Sequence, residues 1–318
     1  MNAGIHHITA ISGEIDRTLD FYVRVLGLRL VKRTVNYDDP GTYHLYFGGD
    51  VGRPGTILTF FPWPGGFPGR AGLGQAAATA FLIPQSSLDF WRTRLHSAGV
   101  AYEGPEPRFD EQVLSLVDPD SLPVELVARA DAPPPSDEDR GGVTAEHAIR
   151  GFHGVTLWVN GDPGTRALLA GPLGFAVRGE EKGRVRLAGA ALLGSAVDLL
   201  QVDGFPRAAG GTGTVHHVAF RAPDDAAQAE IRRQLWETGI ATTPVQDRQY
   251  FRSIYFREPG GVLFEVATDG PGFTTDETPA DLGRRLTLPP WLEPDRASIE
   301  AALPPFPPVP VEVANAIG

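Results

Sequence analysis

The sequence predicts an α+β fold: four βαβββ modules paired into two barrel-like domains, followed by a C-terminal helical tail. Three observations carry that prediction. A pattern of one strand, one helix and about three further strands recurs four times along the 318 residues. The recurrences share their punctuation, since Pro84 aligns with Pro223, Pro119 with Pro259 and Glu125 with Glu265 without a break in the local frame. Each unit of about 50 residues also exposes a sheet face that it cannot bury alone, so units must pair.

The first module, 5–62, opens with the strand pattern "GIHHITAIS" and continues with the helical "RTLDFYVRVLGLRLV". In the second, 76–127, the strand "AAATAFLIP" leads to the helix "SLDFWRTRLHSAGV" and then to "QVLSLVDPDSLPVELV". The third, 151–202, repeats the plan more loosely in "GFHGVTLWV" and "GTRALLAGPLGFAV". The fourth, 214–268, contains "VHHVAFRAP", "DAAQAEIRRQLWETGI" and "SIYFREPGGVLFEV". Gly, Pro and Asp clusters separate the strands of each unit, as turns require. The expected organisation is an N-terminal domain over 1–130, a linker over 131–150 and a C-terminal domain over 151–270. The linker carries "DAPPPSDEDRGG", rich in proline and charge. A tail over 271–318 adds one more helix and the proline-rich "LPPFPPVPV".

Composition narrows the function classes. Hydrophobic residues make up 42% and charged residues 21%, as in ordinary soluble domains. A net charge of −11 argues against nucleic acid or an anionic membrane as partner. Cysteine is absent, which excludes disulfides, thiolate metal sites and cysteine nucleophiles. The opening "MNAGIHHITA" has neither a basic n-region nor an apolar h-region, and no apolar run approaches the roughly 20 residues of a membrane span. A cytoplasmic protein is therefore expected.

Four of the eight histidines fall in two matched pairs, His6–His7 and His216–His217, at one point of the repeat. Alternate strand residues face opposite sides. His217 shares its side with the small Ala219 and His7 with Thr9, whereas His6 and His216 share theirs with bulky apolar neighbours. The apolar side belongs against the helix, so His7 and His217 are expected to face the concave cup. Glu265, flanked by Phe264 and Val266, is a lone charge in an apolar strand and is costly to bury unless paired or metal-bound. Two imidazoles and one carboxylate form the ligand set of non-haem Fe(II) oxygenases. Taken singly, a strand histidine is more often a hydrogen-bonded core group, and a strand glutamate more often faces solvent. Recurrence at one point of the repeat favours ligation. The middle modules act as internal controls, with Ala78 and Gly154 at the ligand-histidine position. Glu125 and His153 are accordingly read as structural or vestigial.

With "HHIT", "HHVAF" and "VLFEVA", the repeat resembles the vicinal oxygen chelate superfamily, which includes glyoxalases, bleomycin-resistance proteins and extradiol dioxygenases. Longer stretches resemble its hydroquinone ring-cleaving dioxygenase branch, notably "QDRQYFRSIYFREPGGVLFEVATDGPGF" and "LGRRLTLPPWLEPDRASIEAALPPF". That resemblance implies Fe(II), with Mn(II) as an alternative, held by His7, His217 and Glu265. It further implies that His6 and Thr9 support the ligands, and that His216, Arg248 and Tyr255 act in catalysis. Arg248 would stabilise negative charge, and His216 or Tyr255 would handle protons. Regular pleating turns His6 and His216 away from the cup, so a bulge or strong twist is required to bring them back.

Aligning "GTILTFF" on "GGVLFEV" places Phe60 opposite Glu265. No fourth protein ligand is then available, and about three coordination positions stay open for an aromatic oxygen and O₂. Phe60, Phe61, Trp63 and Trp291 are the candidate substrate-binding residues, the last on a helix over the pocket mouth or merely packed against the barrel. His44 fits a strand interior as well as a pocket and is left unassigned. The implied activity is insertion of O₂ into a hydroquinone-type ring (1,2-cleavage), with a small aromatic substrate, O₂ and a homo-oligomeric chain. The alternatives are a catechol extradiol dioxygenase, a metal-dependent glyoxalase-like lyase or thiol transferase, and a metal-free aromatic-binding resistance protein.

Overall fold

The computed structural model describes residues 3–135, 139–161 and 163–310. The end of the tail, 311–318, and residues 136–138 of the linker lie outside the described residues. The first module supplies β1 (Ile5–Ser12), β2 (Arg29–Asn36), β3 (Asp39–Gly48) and β4 (Ile57–Pro62). Its helix α1 (Ile15–Leu19) runs on into a π-helical turn over Asp20–Val25. The second supplies β5 (Ala76–Pro84), α2 (Leu88–Ser97), β6 (Tyr102–Arg108), β7 (Glu111–Val117) and β8 (Pro123–Arg129). The third supplies β9 (Gly151–Val159), α3 (Pro163–Ala170), β10 (Ala176–Glu181), β11 (Arg184–Ala188) and β12 (Ala196–Gln201). The fourth supplies β13 (Thr214–Ala222), α4 (Asp225–Glu237), β14 (Gln246–Asp247), β15 (Arg252–Arg257) and β16 (Leu263–Thr268). The tail contains α5 (Arg296–Ala302).

The modules pair into two eight-stranded sheets, but not in the order in which they follow one another. One sheet runs β14-β15-β16-β13-β1-β4-β3-β2 and the other β10-β11-β12-β9-β5-β8-β7-β6. The first module therefore joins the fourth through the antiparallel β1–β13 pair, and the second joins the third through β5–β9. This corrects the division into 1–130 and 151–270. The linker separates two halves of the chain, yet each sheet draws one module from each half. Backbone bonds lock the two sheets at their centre. The N–H groups of Gly55, Phe152, Gly194 and Ile5 donate in a closed ring to the carbonyls of His6, Gly55, Phe152 and Gly194, at 2.8, 2.7, 2.6 and 2.8 Å.

Strand parity divides the apolar side chains between two faces. Ile8, Leu58, Phe60, Val218, Phe220 and Phe264 face the helices and pack with Leu19, Tyr22, Ile231 and Leu235 in the main core. Burying one such side chain stabilises the fold by roughly 1.5–3 kcal/mol. Helix α4 begins where the Asp224 carboxylate accepts from the Ala227 N–H, and it presents Gln228, Ile231 and Leu235 inward at helical spacing. The Gln228 amide caps the sheet by donating to the carbonyls of Arg252 and Val266. The latter part of the linker is docked. Val143 is buried in the core, Trp91 donates to the His147 carbonyl at 3.0 Å, and Arg94 donates to the carbonyls of Val25 and Gly142.

Candidate metal centre

The first strands of modules one and four bring the histidine pairs together. Between Ile5 and His7, β1 advances two residues while β13 advances one, which leaves His6 as the extra residue of a β-bulge. Between Thr9 and Ala10 the reverse occurs, and His216 is the extra residue on β13. The bulges that the histidine pairs require are thus present, and each is centred on the outer histidine of its pair. Each bulge carries its outer imidazole alongside the inner one: Nδ1 of His6 lies 2.9 Å from Nδ1 of His7, and Nδ1 of His216 lies 2.8 Å from Nδ1 of His217.

The inner pair converges with Glu265. Nε2 of His7 and Nε2 of His217 are 3.3 Å apart, and Glu265 Oε2 lies 3.3 Å from the first and 2.9 Å from the second. All three residues are buried, and among the described residues they form the one group of three side chains able to hold a metal ion. Donors each about 2.1 Å from one ion at right angles would lie about 3 Å apart, matching this triangle. The second carboxylate oxygen, Oε1, accepts from Ser253 Oγ, while no hydrogen bond of ordinary geometry reaches Oε2. With the Nδ1 of His6 accepting from the Nδ1–H of His7, the 2.9 Å contact between them is satisfied. Nε2 of His7 then keeps its lone pair. With the same assignment at His216–His217, three lone-pair atoms would face one point, and the buried Oε2 of Glu265 has no hydrogen-bond partner of ordinary geometry. A cation satisfies that arrangement, so the residues present fit a metal.

The electrostatics favour the ligating forms. Burial, then His7, holds the His6 pKa well below its ordinary value. Burial also lowers His217. His216 keeps an exposed edge, but partial burial and then His217 push it down to about 4. For Glu265 burial acts upward and positive charge at its His7 and His217 neighbours acts downward, so with both imidazoles neutral a cation takes over that task. At neutral pH the outer imidazoles are uncharged and the acid is ionised.

A cavity of about 470 Å³ opens above this cluster and is lined by His7, His44, Phe61, Trp63, His217, Arg248, Tyr255 and neighbours. Arg248 Nε donates to the Tyr255 hydroxyl at 3.1 Å, and its Nη2 bonds Asp38 at 2.9 Å. Burial, then Glu265, raises the Tyr255 pKa, so the phenol stays protonated. His216 also lines the cavity. Thr9 is fully buried behind it and accepts from Thr59 Oγ at 2.8 Å.

Two sequence expectations need correction. Phe60 does not line the cavity. It is fully buried on the helix face, packed with Tyr22 and Phe47, because β4 parity sends it away from the cup. Nor is it the counterpart of Glu265. Ala219, two residues after His217, pairs with Glu265, whereas Thr9, two residues after His7, pairs with Thr59. The sequence alignment was off by one residue. Threonine is not among the clustered ligands, so the expectation of no second carboxylate holds for a different residue. Trp291 lies in a turn ahead of α5 rather than on a helix; it is not among the lining residues and makes an edge contact with one of them, Tyr37. The residue passed over was His44, a cavity wall whose Nε2 lies 2.8 Å from Thr59 Oγ. Parity with the lining Tyr46, two residues on in the same strand, was the available signal.

With this geometry in place, the comparisons with known proteins are decisive for the family. The chain matches the Glyoxalase/Bleomycin resistance protein/Dioxygenase superfamily over residues 4–126. It is 47% identical over 303 residues to a Bacillus subtilis protein named "Putative ring-cleaving dioxygenase MhqO", covering 95% of this chain and 96% of that one. The chain belongs to this superfamily. A Sphingobium indicum relative, the chlorohydroquinone/hydroquinone 1,2-dioxygenase, is 35% identical over 91% of this chain and 92% of its own. A Bacillus subtilis crystal structure superposes with a TM-score of 0.93 at 46% identity, covering 98% of this chain and 99% of that one. The two chains thus share the paired-module architecture described above. No helix among the described residues is long and apolar enough to cross a membrane.

Proposed function

We infer that the chain is an Fe(II)-dependent ring-cleaving dioxygenase that inserts O₂ into a hydroquinone-type ring by 1,2-cleavage. One observation carries this reading: two imidazole nitrogens and one carboxylate oxygen converge on a single point, with a threonine where a second carboxylate, the fourth ligand, would stand. The kinship with ring-cleaving relatives supports it. His7, His217 and Glu265 would hold the metal. Bound there, Fe(II) would bring a phenolic oxygen and O₂ into neighbouring positions and let electron density pass between them.

The chain's own groups then have distinct tasks. Phe61 and Trp63 wall the cavity with aromatic faces suited to a flat ring. His216 is uncharged at neutral pH and lines the cavity, and with its Nδ1 turned to His217 it can donate its Nε2–H to the oxygen of an arriving phenolate. Arg248 stays charged: burial acts against it, but Tyr255 and Asp38 outweigh that effect. It stabilises negative charge developing on the ring, with the Tyr255 hydroxyl held beside it as a proton donor. His6 fixes the tautomer of His7 through their shared Nδ1 contact.

The test is an oxygen-electrode screen of protein reconstituted anaerobically with Fe(II) or Mn(II), against substituted hydroquinones and catechols, with metal content measured on the same sample. Uptake with hydroquinones at one metal per chain is expected. Uptake confined to catechols would replace the substrate class, and none from metal-loaded protein would end the dioxygenase reading.

A further inference from the structure

Modules one and four are related by an approximate twofold axis between β1 and β13, and strand register fixes which residues correspond. Tyr255 on β15 pairs with Glu265, and Tyr46 on β3 pairs with Thr59. Two residues before each tyrosine stand Ser253 and His44. Ser253 donates to the Glu265 carboxylate, and His44 Nε2 bonds Thr59 Oγ at 2.8 Å. Thr59 is therefore the image of the ligand carboxylate, and His44 the image of the serine that steadies it.

The substitution changes the reach of the side chain. The hydroxyl of threonine ends two bonds short of where a glutamate carboxylate ends. An ion held by His7 and His217, themselves images of each other, meets Glu265 on one side of the axis. On the other side it finds no protein carboxylate. His44 stands over that gap. It lines the cavity, stacks at 4.3 Å on Phe61, and is fastened at its other nitrogen, with Nδ1 2.9 Å from the Tyr46 hydroxyl. Thr59 gives its own hydrogen to Thr9, so the Thr59–His44 bond must use the Nε2–H of His44 as donor. Nδ1 then accepts from Tyr46. Burial keeps His44 neutral, in agreement with that tautomer.

We propose that His44 is a positioning residue: its Nε2–H, with Thr59 as the resting acceptor, would hold an exogenous ligand that reaches the ion from the Thr59 side. The proposal rests on the metal reading of His7, His217 and Glu265, but not on the identity of the aromatic substrate.

Nitric oxide, a stand-in for O₂ with a paramagnetic signature on Fe(II), tests it without turnover. Anaerobic Fe(II) protein is titrated with nitric oxide and followed by electron paramagnetic resonance, and Fe(II) affinity is measured alongside. The double variant Thr59→Glu/His44→Ala, which opens room for the longer acid, is expected to bind Fe(II) more tightly and to change the shape of the nitric oxide signal, because one of the open positions is then filled. His44→Leu should keep one metal per chain, bind nitric oxide about tenfold more weakly and shift the shape of the signal. His44→Gln, which retains a donor, should recover most of both. A double variant that binds metal and nitric oxide like the native protein would show that position 59 does not face the ion. Identical behaviour of His44→Leu, His44→Gln and native protein would reduce His44 to packing. Absence of O₂ uptake by native metal-loaded protein would instead count against the dioxygenase reading and leave this one standing.

Discussion

The two sheets share a backbone plan and differ in what fills their cups. In both, a pair of antiparallel strands joins the modules and carries a bulge on each strand. The bulged residues are His6 and His216 in one sheet, and Ala77 and His153 in the other. In both, the carboxylate position lies on the fourth strand, where the second sheet carries Glu125 and Asp198. The next residue after each bulge decides the outcome. It is His7 and His217 in the first sheet, but Ala78 and Gly154 in the second. Without imidazoles at those two positions, the second cup neutralises its acids mainly with guanidinium groups. Arg108 grips Glu125 with two bonds of 2.7 and 2.8 Å, and Arg186 holds both Asp198 and Glu111. His153 is drawn to Glu111 at 2.7 Å. The backbone enforces this fate at one position, because a Cβ on Gly154 would fall 2.2 Å from the Ala196 carbonyl oxygen. A buried carboxylate needs a positive partner. One cup supplies it covalently as arginine, and the other leaves a place that an ion can fill.

The sharpest way to break this comparison is to remove the equivalent groups from each cup. His7→Ala should lose bound metal and O₂ uptake completely, while Glu125→Ala should keep both at the native level, as read by metal analysis and oxygen consumption. Equal behaviour of the two variants would mean that the centre is not confined to the first cup. Next in size is Arg186→Met, which leaves Asp198 and Glu111 buried without their main partner. It should destabilise the fold by about 3–5 kcal/mol in denaturant unfolding while metal stoichiometry is unchanged.

The same network predicts a pH dependence. Although burial pushes Glu111 upward, His153 and Arg186 bring it down to about 2 from an ordinary 4.5. A carboxyl lowered on folding adds stability that is full above 4.5 and is lost as pH falls toward 2. Native protein should therefore lose stability across that window, and Glu111→Gln should flatten the loss in unfolding midpoints recorded from pH 5 to 2. The smallest effect is expected at His6, which supports His7 without ligating. His6→Ala should weaken Fe(II) binding about 10–100-fold, as measured by competition with a chelator, and an unchanged affinity would remove its orienting role.

The sequence by itself determined a good deal about this protein. A fourfold repeat with fixed punctuation specified the module, because strand and helix periodicities are local properties of neighbouring side chains. The pairing of His7 with His217, and the choice of Glu265 over Glu125, were legible for a related reason. A repeat supplies its own control, and only two of its four copies carry histidine after the bulge. Tertiary structure decided what depends on register and on partners distant in the chain. It paired the first module with the fourth, since strand edges match by shape and not by order along the sequence. It also moved the image of Glu265 from Phe60 to Thr59. Strand side chains alternate with a period of two, so a slip of one residue carries a side chain from the cup to the core. Only the hydrogen-bonded register removes that ambiguity, and with it His44 came into view as part of the site.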